Sequence, residues 1–205
     1  MISLLKLFRF LGPTLLFFGT FVVLPPLALS YFNNSLDTQM LNIYLICLGY
    51  SLVVLFTLRK RKFSYSPKDG FIITFLTWLL ISLIASLPFQ NEDMVFYDAL
   101  FEAVSGLTTT GSTVIKDLSQ LPDHILLYRQ LLQWAGGVGL VIVVLAIIPA
   151  VSGGVRVLQA ETSGFADKSF SPRLRETARS LLKFYVLITI ACVMSYWAAG
   201  MTWFE

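Results

Sequence analysis

The hydrophobic positions of this 205-residue chain gather in five long stretches that contain no Asp, Glu, Lys or Arg. A bilayer core of roughly 30 Å takes about 20 helical residues to cross, and each stretch reaches that length. Backbone groups in lipid must be paired within the segment, which favours helices. The pattern therefore predicts five membrane helices: Phe10–Leu36, Thr38–Leu58, Gly70–Asn91, Gln130–Val155 and Phe184–Phe204.

Two of these helices contain prolines that are expected to end them. Consecutive prolines cannot continue helical hydrogen bonding, so the first helix is predicted to end near Pro25-Pro26. Pro88 is predicted to close the third. The first apolar stretch is longer than the core of a secretory signal, which spans about 7–15 residues, and we interpret it as a retained membrane helix.

The composition agrees with a membrane environment. Hydrophobic residues make up 56% of the chain and charged residues 13%, whereas soluble domains carry about 25% charged residues. The mean hydropathy is +0.75. Cys47, Cys192 and the single His124 are isolated from one another in the sequence, so they support neither a disulfide framework nor a metal site.

The basic residues predict the orientation. Thirteen of the 15 Lys and Arg residues precede the first helix, separate the second from the third, or separate the fourth from the fifth. If all five helices span, these three segments share one side of the membrane. Positive segments stay in the cytoplasm, so the N-terminus is predicted to be cytoplasmic and the acidic loops to face outward. Topology accounts for the basic runs, and no nucleic acid is expected as a partner.

A shorter amphipathic segment follows the third helix. From Met94 to Leu107 the apolar residues recur at the spacing of one helical face: Phe96, Ala99, Leu100, Ala103, Val104 and Leu107. Asn91, Glu92 and Asp93 offer capping groups and negative charge at its start. Such a helix rises about 21 Å, too little to cross a bilayer. A helix that enters and returns to the same side forms a re-entrant loop.

Directly after this helix stands the uncharged sequence Thr108, Thr109, Thr110, Gly111 and Ser112. Non-helical backbone at membrane depth is tolerated only where it is buried in protein or lines a watery cavity. Threonine favours extended backbone and glycine tolerates positive φ, which would let consecutive carbonyls line a pore. Carbonyl rings of this kind replace the hydration shell of potassium in selectivity filters. The alternative is a polar turn between helices.

The chain resembles the Trk/Ktr/HKT superfamily of potassium transporters in five stretches, which read SPKDGFIITFLTW, SLPF, DALFEAVSGLTTTGSTVI, LPDHILLYRQLLQWAGGVGLVIVVLAIIP and RETARSLLKFYVLITIACVMSYWAAGMTWFE. The first two helices match by hydropathy and position. The resemblance implies an all-α integral membrane fold. Two N-terminal helices would be followed by one helix–pore loop–helix repeat with a re-entrant pore helix and filter strand, and then by the first helix of a second repeat.

The resemblance also implies boundaries. Residues 1–66 would form the two N-terminal helices, 67–155 the repeat, 156–183 a basic cytoplasmic linker and 184–205 the start of the second repeat. Members of the superfamily contain four repeats around one pore, so the chain is expected to be a fragment or a truncated form.

By resemblance, the first filter strand is Thr108–Ser112, and the carbonyls of Thr109, Thr110 and Gly111 are expected to bind potassium. Potassium is the implied substrate, and no tightly bound cofactor is implied. A homodimer in the bacterial inner membrane is implied as well. The implied partner is a cytosolic, nucleotide-binding, TrkA-like regulatory subunit, which the basic linker could face.

Arg129 begins the fourth predicted helix, within reach of Asp98 or Glu102 on the pore helix. An unpaired charge inside the membrane is costly, which favours an ion pair, with Glu102 and Arg129 supporting the filter. A snorkelling interfacial arginine is the alternative.

The stretch Gly136-Gly137-Val138-Gly139 suggests a dinucleotide-binding turn at first sight. It lacks the preceding strand, the third spaced glycine and the later acidic residue of that fingerprint. Small residues let membrane helices approach closely, so these glycines are predicted to pack against the pore helix.

Potassium transport is favoured over two other functions. A membrane enzyme would need paired acids or a Ser/His arrangement within the spans, and the five stretches contain neither. A truncated, non-conducting membrane protein that only packs with other subunits stays open, because one filter strand cannot encircle an ion.

Overall fold

The computed structural model describes residues 4–58, 67–90, 92, 94–151 and 170–202, with side chains for all of these except 67–68, 140–151, 170–175 and 178. The chain divides into two compact units, Met1–Gly137 and Val138–Glu205. Within the described residues every regular element is helical, which confirms the prediction of an all-α fold.

Seven α-helices are described, in chain order α1 (Leu4–Phe18), α2 (Leu24–Phe32), α3 (Thr38–Leu58), α4 (Pro67–Gln90), α5 (Phe96–Leu107), α6 (Asp123–Val151) and α7 (Phe170–Ala198). A π-helical turn, Gly19–Val23, joins α1 to α2, and a 3-10 turn, Leu118–Gln120, precedes α6. Four segments of the described chain are long and apolar enough to cross a membrane: Leu4–Phe32, Thr38–Leu58, Asp69–Gln90 and Arg179–Ala198.

Several predicted segments extend beyond the described residues, among them the spans Gly70–Asn91, at residue 91, and Phe184–Phe204, at residues 203 and 204. The predicted span Gln130–Val155 lies within α6 as far as Val151, although α6 begins earlier, at Asp123; the last four residues of the span lie outside the described residues. The predicted linker 156–183 overlaps the start of α7, and its residues 156–169 lie outside them.

The first helix does not end at Pro25-Pro26, so that prediction is wrong. The π-helical turn precedes the prolines, and the amide of Leu24 donates to the carbonyl of Gly19. Both prolines then occupy the first turn of α2, where an amide would have no helical partner and its absence costs little. The helical segment therefore continues through the prolines to Phe32.

The other predicted helix ends are also displaced. Pro88 lies inside α4, which continues to Gln90. The last helix ends at Ala198, whereas the hydropathy pattern extended it to Phe204. Gly200 has a φ of 92° just after the end of α7, and its amide donates back to the last helical turn. Left-handed backbone at this position closes a helix, whatever the hydropathy beyond it.

One buried cluster holds the first unit together, and α5 contributes to it together with α4 and α6. Ala99, Ala103 and Leu107 of α5 belong to this cluster. So do residues of the two neighbouring helices: Ala85, Phe89, Ile125, Tyr128, Leu132 and Ala135.

Tyr128 fixes α6 to α4 within this cluster. Its side chain is fully buried, and its hydroxyl donates to the carbonyl of Ala85 at 3.1 Å. Its ring centroid lies 5.5 Å from that of Phe89. A buried phenol needs such a partner, so this bond specifies the position of α6 as well as stabilising it.

Asp37 joins the turn between α2 and α3 to the start of α6. Its Oδ1 caps α3 by accepting from the amides of Gln39 at 2.9 Å and Met40 at 3.0 Å. Its Oδ2 lies 3.6 Å from His124 Nε2. Burial raises the pKa of Asp37, but the His124 side chain and the two amides lower it by more, and the net pKa lies below the ordinary 3.8. The carboxylate therefore stays charged at neutral pH.

The charge of Asp37 should contribute to stability at neutral pH. Asp37→Asn keeps an oxygen that can cap α3 but removes the charge that faces His124. A carboxyl with a lowered pKa contributes stability that is complete above its unfolded-state pKa and is lost as the pH falls through its folded-state value. We expect the variant to melt at a lower temperature than the wild type near neutral pH, and the difference to shrink below a pH of about 3.8. Thermal unfolding in detergent across this range measures it, and equal melting near neutral pH would contradict it.

Candidate ion-binding site

The helix α5 ends in a tight turn at the predicted filter residues. The amides of Thr109 and Thr110 donate to the carbonyls of Gly106 and Ser105, each at 2.9 Å, and Thr109 has a φ of 59°. This is a Schellman motif, in which glycine usually takes the left-handed position. Thr108 is at φ −83° and ψ 1°. The prediction that these threonines are extended is therefore wrong at Thr108 and Thr109, because closure of the helix decides their backbone.

Two other helices of this chain close in the same way with different residues. The motif after α2 places Asn34 at the left-handed position with a φ of 54°, and the motif after α7 places Gly200 there. Asparagine and glycine tolerate this conformation. A β-branched residue such as Thr109 does not, and left-handed backbone there costs on the order of 1–3 kcal/mol. Strain of this kind is typical of functional loops.

Gly111 has a φ of 75°, the positive value that glycine was expected to allow. A Cβ placed on Gly111 would meet nothing within 4 Å. The backbone conformation, and not lack of space, therefore requires glycine at this position.

A buried carboxylate connects α5, the loop that follows it and α6. Glu102 is fully buried, and its Oε1 accepts from Thr113 Oγ1 at 2.6 Å and from the amide of Val114 at 2.7 Å. Its Oε2 accepts from Arg129 Nε at 2.9 Å. Arg129 is also buried, and its Nη2 lies 3.4 Å from the carbonyl oxygen of Gly111. Both carboxylate oxygens are thus engaged, and the pair has no net charge.

The structure decides between the alternatives for Arg129. The guanidinium forms an ion pair with Glu102, while Asp98 is exposed in the first turn of α5. A buried, paired guanidinium differs from the snorkelling arginine that was the alternative.

The apolar pattern predicted the buried face of α5 only in part: Ala99, Ala103 and Leu107 are buried as predicted. Phe96 and Val104 are 43% and 39% exposed in this chain, while Glu102, Ser105 and Gly106 are buried. Polar side chains can be buried when each has a hydrogen-bonding partner, and here the loop and α6 provide those partners. Hydrophobic spacing alone could not identify this face.

The start of α5 also differs from the prediction. The helix begins at Phe96 instead of Met94, and its N-cap, Val95, offers no side-chain cap. Asp98 supplies the negative charge that the helix dipole favours in the first turn. Of the predicted capping segment 91–93, the structure describes Glu92 alone, which lies ahead of the N-cap.

Sequence reasoning missed two residues that join the loop to α5, Ser105 on the helix and Thr113 in the loop. Ser105 donates its hydroxyl to the carbonyl of Ser112 at 2.6 Å, and Thr113 donates to Glu102. Ser105 lies three positions after Glu102, on the same side of the helix. Glu102 and Ser105 are thus two polar residues at helical spacing just before the helix end, and this pattern in the sequence could have identified Ser105.

The helices α5 and α6 approach closely at two glycines. A Cβ on Gly136 would lie 2.1 Å from the carbonyl oxygen of Leu107, and a Cβ on Gly106 would lie 3.1 Å from Leu132 Cβ. The prediction that the glycine-rich stretch packs against this helix is confirmed for Gly136.

Comparison with known proteins identifies the family. The sequence profile described as TrkH, cation transport protein, matches residues 37–203. The chain belongs to the TrkH family of cation transport proteins. The family is one of cation transport proteins and not of enzymes, in agreement with the prediction.

Several TrkH-family relatives match nearly the whole chain. The Trk system potassium uptake protein TrkH of Vibrio parahaemolyticus is 36% identical over 205 residues, which cover 98% of this chain and 42% of the relative. The protein of the same name from Escherichia coli K12 is 34% identical over 202 residues, covering 96% and 42%. The potassium uptake protein TrkG of Escherichia coli K12 is 39% identical over 191 residues, covering 89% and 39%.

A solved structure of a TrkH-family member supports the fold. The crystal structure of the potassium transporter TrkH from Vibrio parahaemolyticus matches this chain with a TM-score of 0.78 and 33% identity, over 100% of this chain and 41% of that one. The chain thus spans about two fifths of the length of these relatives.

The close approach at Gly136 should not tolerate a side chain. We expect Gly136→Ala to destabilise the protein by about 2 kcal/mol or more, because the added methyl meets the backbone of Leu107. Gly49→Ala is the matched control, since Gly49 is exposed on α3 and its added Cβ meets nothing within 4 Å. That control should be neutral or stabilising by about 1 kcal/mol. Thermal unfolding of both variants in detergent tests this, and equal stability would contradict the packing.

The buried carboxylate should be intolerant of an amide. Glu102→Gln places an NH2 group against another donor, either Arg129 or the Val114 amide, and leaves Arg129 without its counterion. We expect a loss of about 3 kcal/mol or more in the free energy of unfolding. Asp98→Asn, an exposed change on the same helix, should cost less than about 1 kcal/mol. Chemical denaturation of both variants measures the difference.

The same geometry limits rescue by charge reversal. Glu102→Arg combined with Arg129→Glu restores the opposite charges but removes the acceptor of Thr113 and Val114. The double variant should recover only part of the stability lost by Glu102→Arg. Full recovery would show that the loop bonds contribute nothing.

Proposed function

We propose that this chain contributes the first filter strand to the pore of a potassium uptake protein. The strand is Thr108–Ser112, and potassium is the proposed transported substrate. Of the three carbonyls expected to bind it, those of Thr109 and Thr110 are the proposed principal ligands, because the carbonyl of Gly111 is directed to Arg129. The observation that carries the proposal is an exposed polar loop held at the C-terminal end of α5 by a buried ion pair.

The electrostatics of the loop suit a cation. The C-terminal end of α5 directs the negative end of its dipole toward residues 108–112. Arg129 would place a positive charge behind the loop, but Glu102 compensates it at 2.9 Å. The ion pair therefore supplies rigidity without adding net charge to the site, which leaves the carbonyls to attract the ion.

The carbonyl of Gly111 is less available to an ion than the carbonyls of Thr109 and Thr110. Arg129 Nη2 lies 3.4 Å from this oxygen and takes one of its two lone pairs. Among the described residues no hydrogen bond to the carbonyls of Thr109 and Thr110 is found. Those two are therefore expected to bind potassium more strongly than Gly111.

The proposal also covers the membrane in which the protein lies and the proteins with which it assembles. The family resemblance implies the bacterial inner membrane, and the basic segments favour a cytoplasmic N-terminus. The segment boundaries 1–66, 67–155, 156–183 and 184–205, a homodimer, and a TrkA-like nucleotide-binding regulatory subunit follow from the family resemblance. The relatives named above are potassium uptake proteins, which supports potassium as the ion.

Rubidium uptake tests the proposal directly. Potassium-starved cells that express the gene should take up rubidium above the level of empty-vector cells. Gly111→Ser forces a side chain into left-handed backbone, and we expect its preference for potassium over sodium to fall about fivefold, the effect of roughly 1 kcal/mol of strain. The matched control is Gly49→Ser, a glycine in open space on α3.

The outcomes separate the alternatives. Wild-type uptake with altered selectivity in Gly111→Ser alone supports a filter. Wild-type uptake with unchanged selectivity makes Thr108–Ser112 a turn between helices. No uptake by the wild type favours a non-conducting protein that packs with other subunits.

A further inference from the structure

We infer that Ser105 is a positioning residue for the proposed filter: it binds the loop through both its carbonyl and its hydroxyl and so directs the carbonyls of Thr109 and Thr110 away from α5. The inference rests on the proposed function and adds a residue that lies outside the strand itself. Ser105 is buried, whereas every residue from 108 to 114 is exposed.

The carbonyl of Ser105 holds the near side of the loop. It accepts from the amide of Thr110 at 2.9 Å and from the amide of Gly111 at 3.4 Å. The peptide bonds of the described chain are trans, and in a trans peptide the N–H and the preceding C=O point in opposite directions. Because the amides of Thr110 and Gly111 point toward Ser105, the carbonyls of Thr109 and Thr110 must point away from it.

The hydroxyl of Ser105 holds the far side. It donates to the carbonyl of Ser112 at 2.6 Å and so turns this oxygen toward α5. The carbonyl of Gly111 is likewise directed inward, to Arg129. The direction of the carbonyls therefore reverses between Thr110 and Gly111, and the two positive φ values, at Thr109 and Gly111, flank the outward pair.

This geometry gives the hydroxyl a role beyond packing. Alanine, as at the neighbouring Ala103, would fill a comparable buried position on the helix. Removing the hydroxyl leaves the carbonyl of Ser112 without its donor and lets the end of the strand rotate. The hydrogen bonds that the Ser105 carbonyl accepts involve only the main chain and are kept when the side chain is replaced. A substitution at Ser105 therefore tests the bond from its hydroxyl to Ser112 alone.

The test compares two buried serines. Ser105→Ala removes the hydroxyl that holds Ser112. Ser86→Ala is the matched control, because Ser86 is fully buried on α4 and donates at 2.8 Å to Leu83 within its own helix. Ser105→Thr keeps a hydroxyl and should restore the wild-type behaviour. Each variant is expressed in potassium-starved cells, and uptake is normalised to the amount of protein in the membrane.

Two readouts are expected to change in Ser105→Ala alone. The preference for potassium over sodium should fall about fivefold, the effect of losing one hydrogen bond of about 1 kcal/mol. Amide hydrogen exchange of the purified protein over residues 108–114 should rise by about the same factor, because the loop opens more easily.

Each outcome bears on the inference. Unchanged selectivity in Ser105→Ala overturns it, whether or not exchange rises, and so does an equal shift in Ser86→Ala. If Ser105→Ala is absent from the membrane, Ser105→Thr decides: a shift in its potassium preference overturns the inference, and a wild-type preference supports it. If the wild type takes up no rubidium, the proposed function fails, and the exchange comparison shows separately whether Ser105 fixes the loop.

Discussion

The buried carboxylate of Glu102 is the constraint on which the candidate site depends. A fully buried charge is stable only when it is paired and its oxygens accept hydrogen bonds. Arg129, Thr113 and the amide of Val114 together meet that requirement. Because these donors belong to α6 and to the loop, satisfying one carboxylate fixes both relative to α5. The loop can therefore be exposed and polar and still have a defined backbone.

The first turns of α6 extend this arrangement to the rest of the first unit. His124 faces Asp37 at the turn before α3, and Tyr128 bonds to Ala85 on α4. Arg129 bonds to Glu102 on α5. These three side chains lie within six residues, so the N-terminal end of one helix contacts three other parts of the unit. Close approach at Gly136 then brings α5 against the same helix.

Strain at Thr109 is compensated by this surrounding structure. Two other helices of the chain end in the same motif with Asn34 and Gly200, which accept left-handed backbone readily. Thr109 accepts it because the bonds to Ser105 and Gly106 hold the turn closed. A strained residue beside a loop of outward carbonyls is consistent with a site whose geometry matters more than its local stability.

The sequence by itself determined the membrane class, the positions of most helices, the short helix ending at Leu107 and the need for glycine at Gly111, because hydropathy, length and backbone tolerance are local properties. It could bring Arg129 close to Glu102 or Asp98 but could not choose between them. It misjudged Pro25-Pro26, and it missed the polar residues on the buried face of α5. The tertiary structure decided those points, since burial of Glu102 and Ser105 becomes favourable only when donors and acceptors distant in sequence are brought to them. The direction of the carbonyls in the loop is decided in the same way. Those of Thr109 and Thr110 follow from the amides that Ser105 accepts, and those of Gly111 and Ser112 from Arg129 and the Ser105 hydroxyl.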